Sequence, residues 1–146
     1  MIYYRNDVPR SGIDRRALIA TAGRLLTALG ERGSGLSLSL VGDDVIRSMN
    51  KEYRGRDSPT DVLSFSLDGA PDAAVERLLG DVVISIDTAR RQAERYGASL
   101  QREVYRLLIH GLLHLKGHDH EAAGERRVMR REERRLADAI ALPWPY

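Results

Sequence analysis

All four histidines of the chain lie within one stretch of 11 residues, from His110 to His120. His110 and His114 are spaced i and i+4, so on a helix their side chains project from one face, within reach of a single metal ion. Gly117 then allows the chain to turn, so that a further imidazole, from His118 or His120, can approach the same ion. Such a set fits a catalytic zinc site with an open fourth position. The spacing therefore predicts a metal centre.

The absence of cysteine restricts the ligands of this centre to histidine, aspartate and glutamate. It also excludes disulfide scaffolds, thiolate zinc fingers, iron–sulfur clusters and cysteine nucleophiles. Zinc peptidases of the His-Glu-x-x-His type carry their catalytic glutamate directly after the first ligand, where this chain has Gly111. The nearest carboxylates are Asp119 and Glu121. A zinc metallopeptidase that uses one of them as its base is therefore an alternative hypothesis.

Hydrophobic periodicity predicts the elements that hold the histidines. Alternation over residues 36–41 is typical of a strand with one buried face, and two apolar runs and a shorter initial stretch predict further strands, at 62–67, 82–86 and 2–4. Caps and apolar spacing predict helices from Asp14 to about 29, from Asp43 to about 54, and over 87–96, 99–116 and 121–140. The 146 residues are 42% hydrophobic, enough for one core. We therefore expect a single α+β domain over residues 1–146, with a small mixed sheet of three to four strands packed against about five helices.

The turn-forming residues Gly69 and Pro71 predict an exposed loop over residues 68–75, between two strands. The first ten residues lack the basic start and apolar run of a signal peptide, and no apolar run approaches the 18 or so residues that span a bilayer. We therefore expect a cytoplasmic protein with no membrane partner.

Three blocks of the sequence occur together in a recognisable order. They are His110-Gly-x-Leu-His114-Leu-x-Gly-x-Asp119-His120, the segment from Met49 to Phe65, and the segment 79–85. Together they resemble the YbeY family of bacterial endoribonucleases, also called rRNA maturation factors. Two positions depart from the family pattern: His118 stands where tyrosine is usual, and Arg56 stands where lysine is common.

The resemblance implies one zinc ion held by His110, His114 and His120, and an essential arginine at Arg54. We expect His120 rather than His118 to be the third ligand, because these two side chains point in different directions in most loop conformations. A guanidinium at Arg54 facing the bound phosphate would stabilise the negative charge that develops there.

The resemblance also implies a single-strand-specific endoribonuclease that acts in ribosomal RNA maturation, at the 16S rRNA 3′ end, and in ribosome quality control. Its partners would be ribosomal RNA, the small ribosomal subunit, ribosomal proteins and assembly GTPases. Attack by zinc-activated water and attack by the 2′-hydroxyl of the RNA are both compatible with the residues. A non-catalytic ribosome-assembly factor with structural zinc is a further alternative.

Charge alone does not identify a partner, since 23 Lys+Arg oppose 21 Asp+Glu. Residues 125–135 nevertheless carry six arginines, which predict a solvated helix face and a candidate contact with the RNA backbone. Two polar positions near the predicted strands have structural explanations. For Asp81, at the start of the third strand, we favour a role in capping the strand over a role as hydrogen-bond partner of a zinc-bound imidazole. We expect Pro59-Thr60-Asp61 to position the loop rather than to take part in chemistry.

Overall fold

The computed structural model describes residues 1–67, 77–119 and 121–144, which form four strands and five helices. The strands are β1 (Ile2–Asn6), β2 (Gly35–Val41), β3 (Val62–Ser66) and β4 (Leu78–Ser85). The helices are α1 (Arg15–Ala28), α2 (Asp43–Arg54), α3 (Ile86–Tyr96), α4 (Leu100–Leu115) and α5 (Ala123–Ala139). The predicted α+β class is therefore confirmed. His120 and the exposed loop predicted at residues 68–75 lie outside the described residues.

The four strands form one mixed sheet in the order β1-β2-β4-β3. β2 pairs in parallel with both β1 and β4, whereas β3 runs antiparallel to β4 at one edge. The parallel pairs require crossover connections, which α1 supplies between β1 and β2.

Both faces of the sheet carry buried apolar side chains, but the cluster on one face is much larger than the cluster on the other. On one face, Leu36, Leu38 and Leu40 of β2 are fully buried and belong to the main core, which α1, α4 and α5 complete. On the other face, a smaller cluster joins Ile46 of α2 to Val83 of β4. The α4 face therefore holds the main core, and α2 covers only part of the opposite face.

Two of the differences between the structure and the sequence-based boundaries have a clear physical reason. β4 begins at Leu78, four residues before the predicted start, because Gly80 pairs with β3 and Asp81 pairs with both neighbours, although neither residue type favours strands. Asp43, predicted as a cap, is instead the first helical residue of α2, and its carboxylate accepts hydrogen bonds from Ser85 and Thr88, each of 2.7 Å. Among the described helices, none combines the length and apolar content that crossing a bilayer requires.

Candidate active site and metal centre

α4 presents the histidines and is fixed at both ends. The hydroxyl of Ser99 accepts a hydrogen bond from the backbone amide of Arg102, which caps the first turn. The helix ends at Leu115, and Gly117 adopts a φ of 88°, a left-handed conformation that favours glycine and turns the chain. Because one side of α4 is buried in the main core, its orientation on the sheet is determined by packing, and His110 and His114 lie half-buried at its C-terminal end.

The two helical histidines face each other. Their Nε2 atoms are 3.3 Å apart, with ring centroids separated by 4.8 Å. A tetrahedral zinc ion bound at about 2.0–2.1 Å holds two ligand nitrogens about 3.4 Å apart. The separation of His110 and His114 therefore fits two ligands of one zinc ion.

A carboxylate lies behind the first of these imidazoles. Glu133 of α5 places Oε1 3.9 Å from Nδ1 of His110, and its side chain is only 10% exposed. Carboxylates in this position orient metal-bound imidazoles and raise their basicity. We missed Glu133 from the sequence because it lies within the arginine-rich run. The signal was its spacing with Met129 and Ala137, which places a carboxylate on the buried stripe of α5.

The third predicted ligand, His120, is outside the described residues. Over residues 1–67, 77–119 and 121–144, no group of three His, Asp or Glu side chains could hold a metal ion. His118 is half-buried at the turn after α4, where its amide donates a 3.0 Å hydrogen bond to the carbonyl of Leu113. The assignment of the third ligand therefore stays a prediction.

Gly111 faces the sheet rather than the solvent. A Cβ at this position would lie 2.9 Å from Cγ1 of Val82 and 3.3 Å from Cγ2 of Val62. A glutamate side chain there would collide with β3 and β4, so position 111 cannot supply the base of a His-Glu-x-x-His peptidase.

Two arginines lie beside the histidines in one open pocket. Arg54 is the last residue of α2, and Gly55 ends the helix in a left-handed conformation (φ 69°), after which the chain returns with Arg56. We call this cavity the histidine pocket; it measures about 630 Å³ and is lined by Arg54, Arg56, His114, Gly117, His118, Asp119 and Glu121. Arg54 and His114 are 60 positions apart in the chain, and the fold brings both to this pocket.

The two arginines share the histidine pocket with two carboxylates, Asp119 and Glu121. Within the described residues, Arg54 and Arg56 form no salt bridge, whereas Arg47, on the same helix as Arg54, is paired with Asp57 at 2.8 Å. Two unpaired guanidinium groups at the mouth of a pocket can bind phosphate oxygens in bidentate fashion.

Two other predicted positions are placed away from the pocket. Asp81 lines a different cavity with Phe65 and Val83, on the sheet face opposite α4, so it is not an outer partner of His110 or His114. Asp61 supports the loop as expected, since Oδ1 accepts a 2.8 Å hydrogen bond from the amide of Val62.

The arginine run lies on α5 as a solvated face. All six of its arginines are exposed: Arg126, Arg127, Arg130, Arg131, Arg134 and Arg135. Arg135 is bound locally, at 2.7 Å from Glu132 and 2.9 Å from the carbonyl of Ala28. The face is therefore accessible to a nucleic-acid backbone, but its contact with RNA stays a prediction.

The chain is similar to known proteins over nearly its whole length. The sequence profile of a family described as Endoribonuclease YbeY matches residues 8–141. A relative named Endoribonuclease YbeY, from an Anaeromyxobacter species, is 47% identical over 137 residues, which cover 94% of this chain and 70% of that protein. Relatives of the same name from Pelotomaculum thermopropionicum and Aquifex aeolicus are each 50% identical over 73% of this chain, covering 72% and 70% of their own lengths.

A solved structure matches as well. The solution structure of a protein from Thermotoga maritima superimposes with a TM-score of 0.59 and 22% sequence identity, covering 97% of this chain and 92% of that one. At this level of identity, the match bears on the fold alone.

Proposed function

The chain belongs to the Endoribonuclease YbeY family, whose members are hydrolases that cleave RNA, and on that premise we propose that it is a zinc-dependent endoribonuclease acting on single-stranded RNA. The observation that carries the proposal is the histidine pocket, which Arg54 and His114 both line, with the imidazole of His110 3.3 Å from that of His114. We further propose that residues 1–146 form one YbeY-like domain with one zinc ion.

His110, His114 and His120 would hold the zinc ion. Three features support this assignment: the 3.3 Å separation of the first two Nε2 atoms, the carboxylate of Glu133 behind His110, and the turn at Gly117 that precedes His120. When bound, the ion supplies Lewis-acid chemistry, either by polarising a phosphoryl oxygen or by lowering the pKa of water.

The residues of the chain orient the substrate and stabilise developing charge. Arg54 binds the non-bridging oxygens of the scissile phosphate and gains interaction energy as negative charge accumulates on them. Arg56 lines the same pocket and holds the neighbouring backbone. Glu133 helps to orient the ring of His110, because its carboxylate lies 3.9 Å from Nδ1 of that imidazole.

The substrate would be ribosomal RNA of the small subunit, processed at the 16S rRNA 3′ end in the cytoplasm, with a second role in ribosome quality control. Ribosomal proteins and assembly GTPases would be its partners. Support for these assignments is the family resemblance. The exposed arginine face of α5 offers a surface for the RNA backbone.

The decisive experiment digests a labelled single-stranded oligoribonucleotide with purified, zinc-quantified protein. We expect cleavage that a chelator abolishes and added zinc restores, with little cleavage of duplex RNA. His114→Ala protein purified in parallel serves as the blank for contaminating nuclease. Product end groups identify the nucleophile, since a 2′,3′-cyclic phosphate requires attack by the 2′-hydroxyl.

Two results would contradict the proposal. Cleavage of an unstructured protein but not of RNA would favour the peptidase, although Gly111 leaves that enzyme without its usual base. Stoichiometric zinc with no cleavage of either substrate would favour a non-catalytic assembly factor.

A further inference from the structure

A second cavity lies on the face of the sheet that α2 only partly covers. It measures about 350 Å³ and is lined by Ser39, Met49, Tyr53, Phe65, Asp81 and Val83. We call it the aromatic cavity. Its volume is at the lower end of the range of about 300–1,000 Å³ that small-molecule sites occupy.

The walls of the aromatic cavity combine an exposed ring with an apolar floor. Tyr53 is 62% exposed, and its ring meets that of Phe65 edge-on, with centroids 5.1 Å apart and an interplanar angle of 63°. Met49 lies one helical turn before Tyr53 on α2, and Val83 belongs to the small cluster of buried residues on this face of the sheet. A solvent-exposed aromatic beside an apolar floor is a surface on which a flat ring can stack.

The polar group of this cavity is an acceptor. The carboxylate of Asp81 is half-buried, and among the described residues it has no hydrogen-bond or ion-pair partner. Such a group accepts hydrogen bonds from the exocyclic amine of a nucleobase and repels phosphate. The cavity therefore suits a base and not the backbone.

The end of α2 contributes one residue to the aromatic cavity and the next residue to the histidine pocket. Tyr53 lines the first and Arg54 lines the second, and the two residues are adjacent on the last turn of the helix. The two arginines of the histidine pocket suit a phosphate, whereas the aromatic cavity suits the ring attached to a neighbouring sugar. The phosphate of one nucleotide unit would bind at Arg54, and its base would bind in the aromatic cavity.

We propose that the aromatic cavity is a nucleobase subsite, which takes one unpaired, amino-bearing base of the strand whose phosphate lies at Arg54. This inference rests on the proposed function and adds to it the means by which the enzyme selects single strands. A base can stack on Tyr53 only after it has left its own helix, so a base-paired strand cannot fill the subsite.

The test couples a protein change with a substrate change. Single-stranded oligoribonucleotides that carry one abasic position at a time are cleaved by zinc-loaded wild-type protein and by Tyr53→Ala. With wild-type protein we expect one abasic position near the cut to raise KM by about 5- to 150-fold, the range of a lost base–aromatic stack. With Tyr53→Ala, KM is high for the intact strand and changes little at that position.

Two variants serve as controls. Tyr53→Phe keeps the ring and should retain the wild-type pattern. Tyr96→Ala removes another exposed tyrosine, 42% exposed at the end of α3, and should leave KM unchanged.

Three outcomes would overturn the proposal, and they are distinguishable. If wild-type protein cleaves RNA but Tyr53→Ala shows the same abasic profile, the subsite is wrong and the proposed function stands. If Tyr53→Ala impairs cleavage only when the RNA is bound to ribosomal proteins, the cavity binds a protein partner instead. If wild-type protein with bound zinc cleaves no RNA, the proposed function fails and the subsite fails with it.

Discussion

The hydroxyl of Ser64 on β3 donates a 2.9 Å hydrogen bond to the carbonyl oxygen of Gly111 on α4. This bond joins the sheet to the histidine helix, one residue after His110. The approach is close because Gly111 has no side chain: a Cβ would lie 3.1 Å from the Ser64 hydroxyl and 2.9 Å from Cγ1 of Val82. The glycine therefore sets the distance between α4 and the sheet.

Gly111→Ala should destabilise the protein. Overpacking costs about 1–3 kcal/mol, of which the better helix propensity of alanine offsets up to about 1 kcal/mol. Urea denaturation followed by circular dichroism measures the loss. Gly23→Ala is the matched control, because Gly23 lies inside α1 and a Cβ there would meet nothing within 4 Å. Equal stabilisation by both substitutions would show that α4 does not need the close approach.

Glu31 ties the end of α4 to the loop after α1. Its carboxylate accepts a 2.6 Å hydrogen bond from Lys116, and a second of 2.6 Å from Ser34, while the residue is only 7% exposed. The bond from Lys116, followed by that from Ser34, lowers the pKa of Glu31 below its ordinary value of 4.5. The stabilisation is therefore fully present above pH 4.5 and is lost as the pH falls through the folded-state pKa.

Glu31→Gln should lower the free energy of unfolding at pH 7 by about 1–2 kcal/mol, because the charged acceptor is lost. The difference from wild type should shrink as the pH falls below 4.5. Denaturation curves of both proteins from pH 3 to pH 7 measure this difference in the free energy of unfolding. A chelator is present so that zinc does not contribute. A difference that stays constant over this range would mean that the charge of Glu31 does not contribute.

His114→Ala should lose bound zinc. Its Nε2 lies 3.3 Å from that of His110, and two remaining imidazoles hold zinc far more weakly than three. Metal analysis of purified protein measures the stoichiometry, and His118→Ala should retain nearly one zinc per chain. If His118→Ala loses zinc as His114→Ala does, the third ligand is His118 and not His120.

Glu133→Gln should weaken zinc binding by about 10- to 100-fold while the fold is retained, because the amide keeps the volume but loses the charge that orients His110. Competition with a chromophoric chelator measures the affinity. Glu132→Gln, the neighbouring carboxylate on α5 that pairs with Arg135, is the control and should bind zinc normally. Equal affinities for the two variants would remove Glu133 from the metal centre.

The contrast between His110 and Glu133 shows what the sequence reveals about this site. The histidine pair was predictable because helical spacing alone places both imidazoles on one face. The partner of His110 was not, because Glu133 lies 23 residues away and only the packing of α5 on α4 brings it near. The start of β4 was missed for a similar reason, since Gly80 and Asp81 become strand through pairing with β3 and not through propensity.

Arg54→Ala should lower kcat for RNA cleavage by about 100- to 1,000-fold without loss of zinc, because a guanidinium that stabilises transition-state charge is removed while the imidazoles are untouched. Cleavage kinetics and metal analysis on the same preparation separate the two effects. Arg54→Lys should recover only part of the rate, since an ammonium keeps the charge but not the bidentate geometry. Arg16→Ala, an exposed arginine at the start of α1, controls for net charge and should cleave normally. Wild-type kcat in Arg54→Ala would reduce Arg54 to a surface residue and leave Arg56 as the remaining arginine of the pocket.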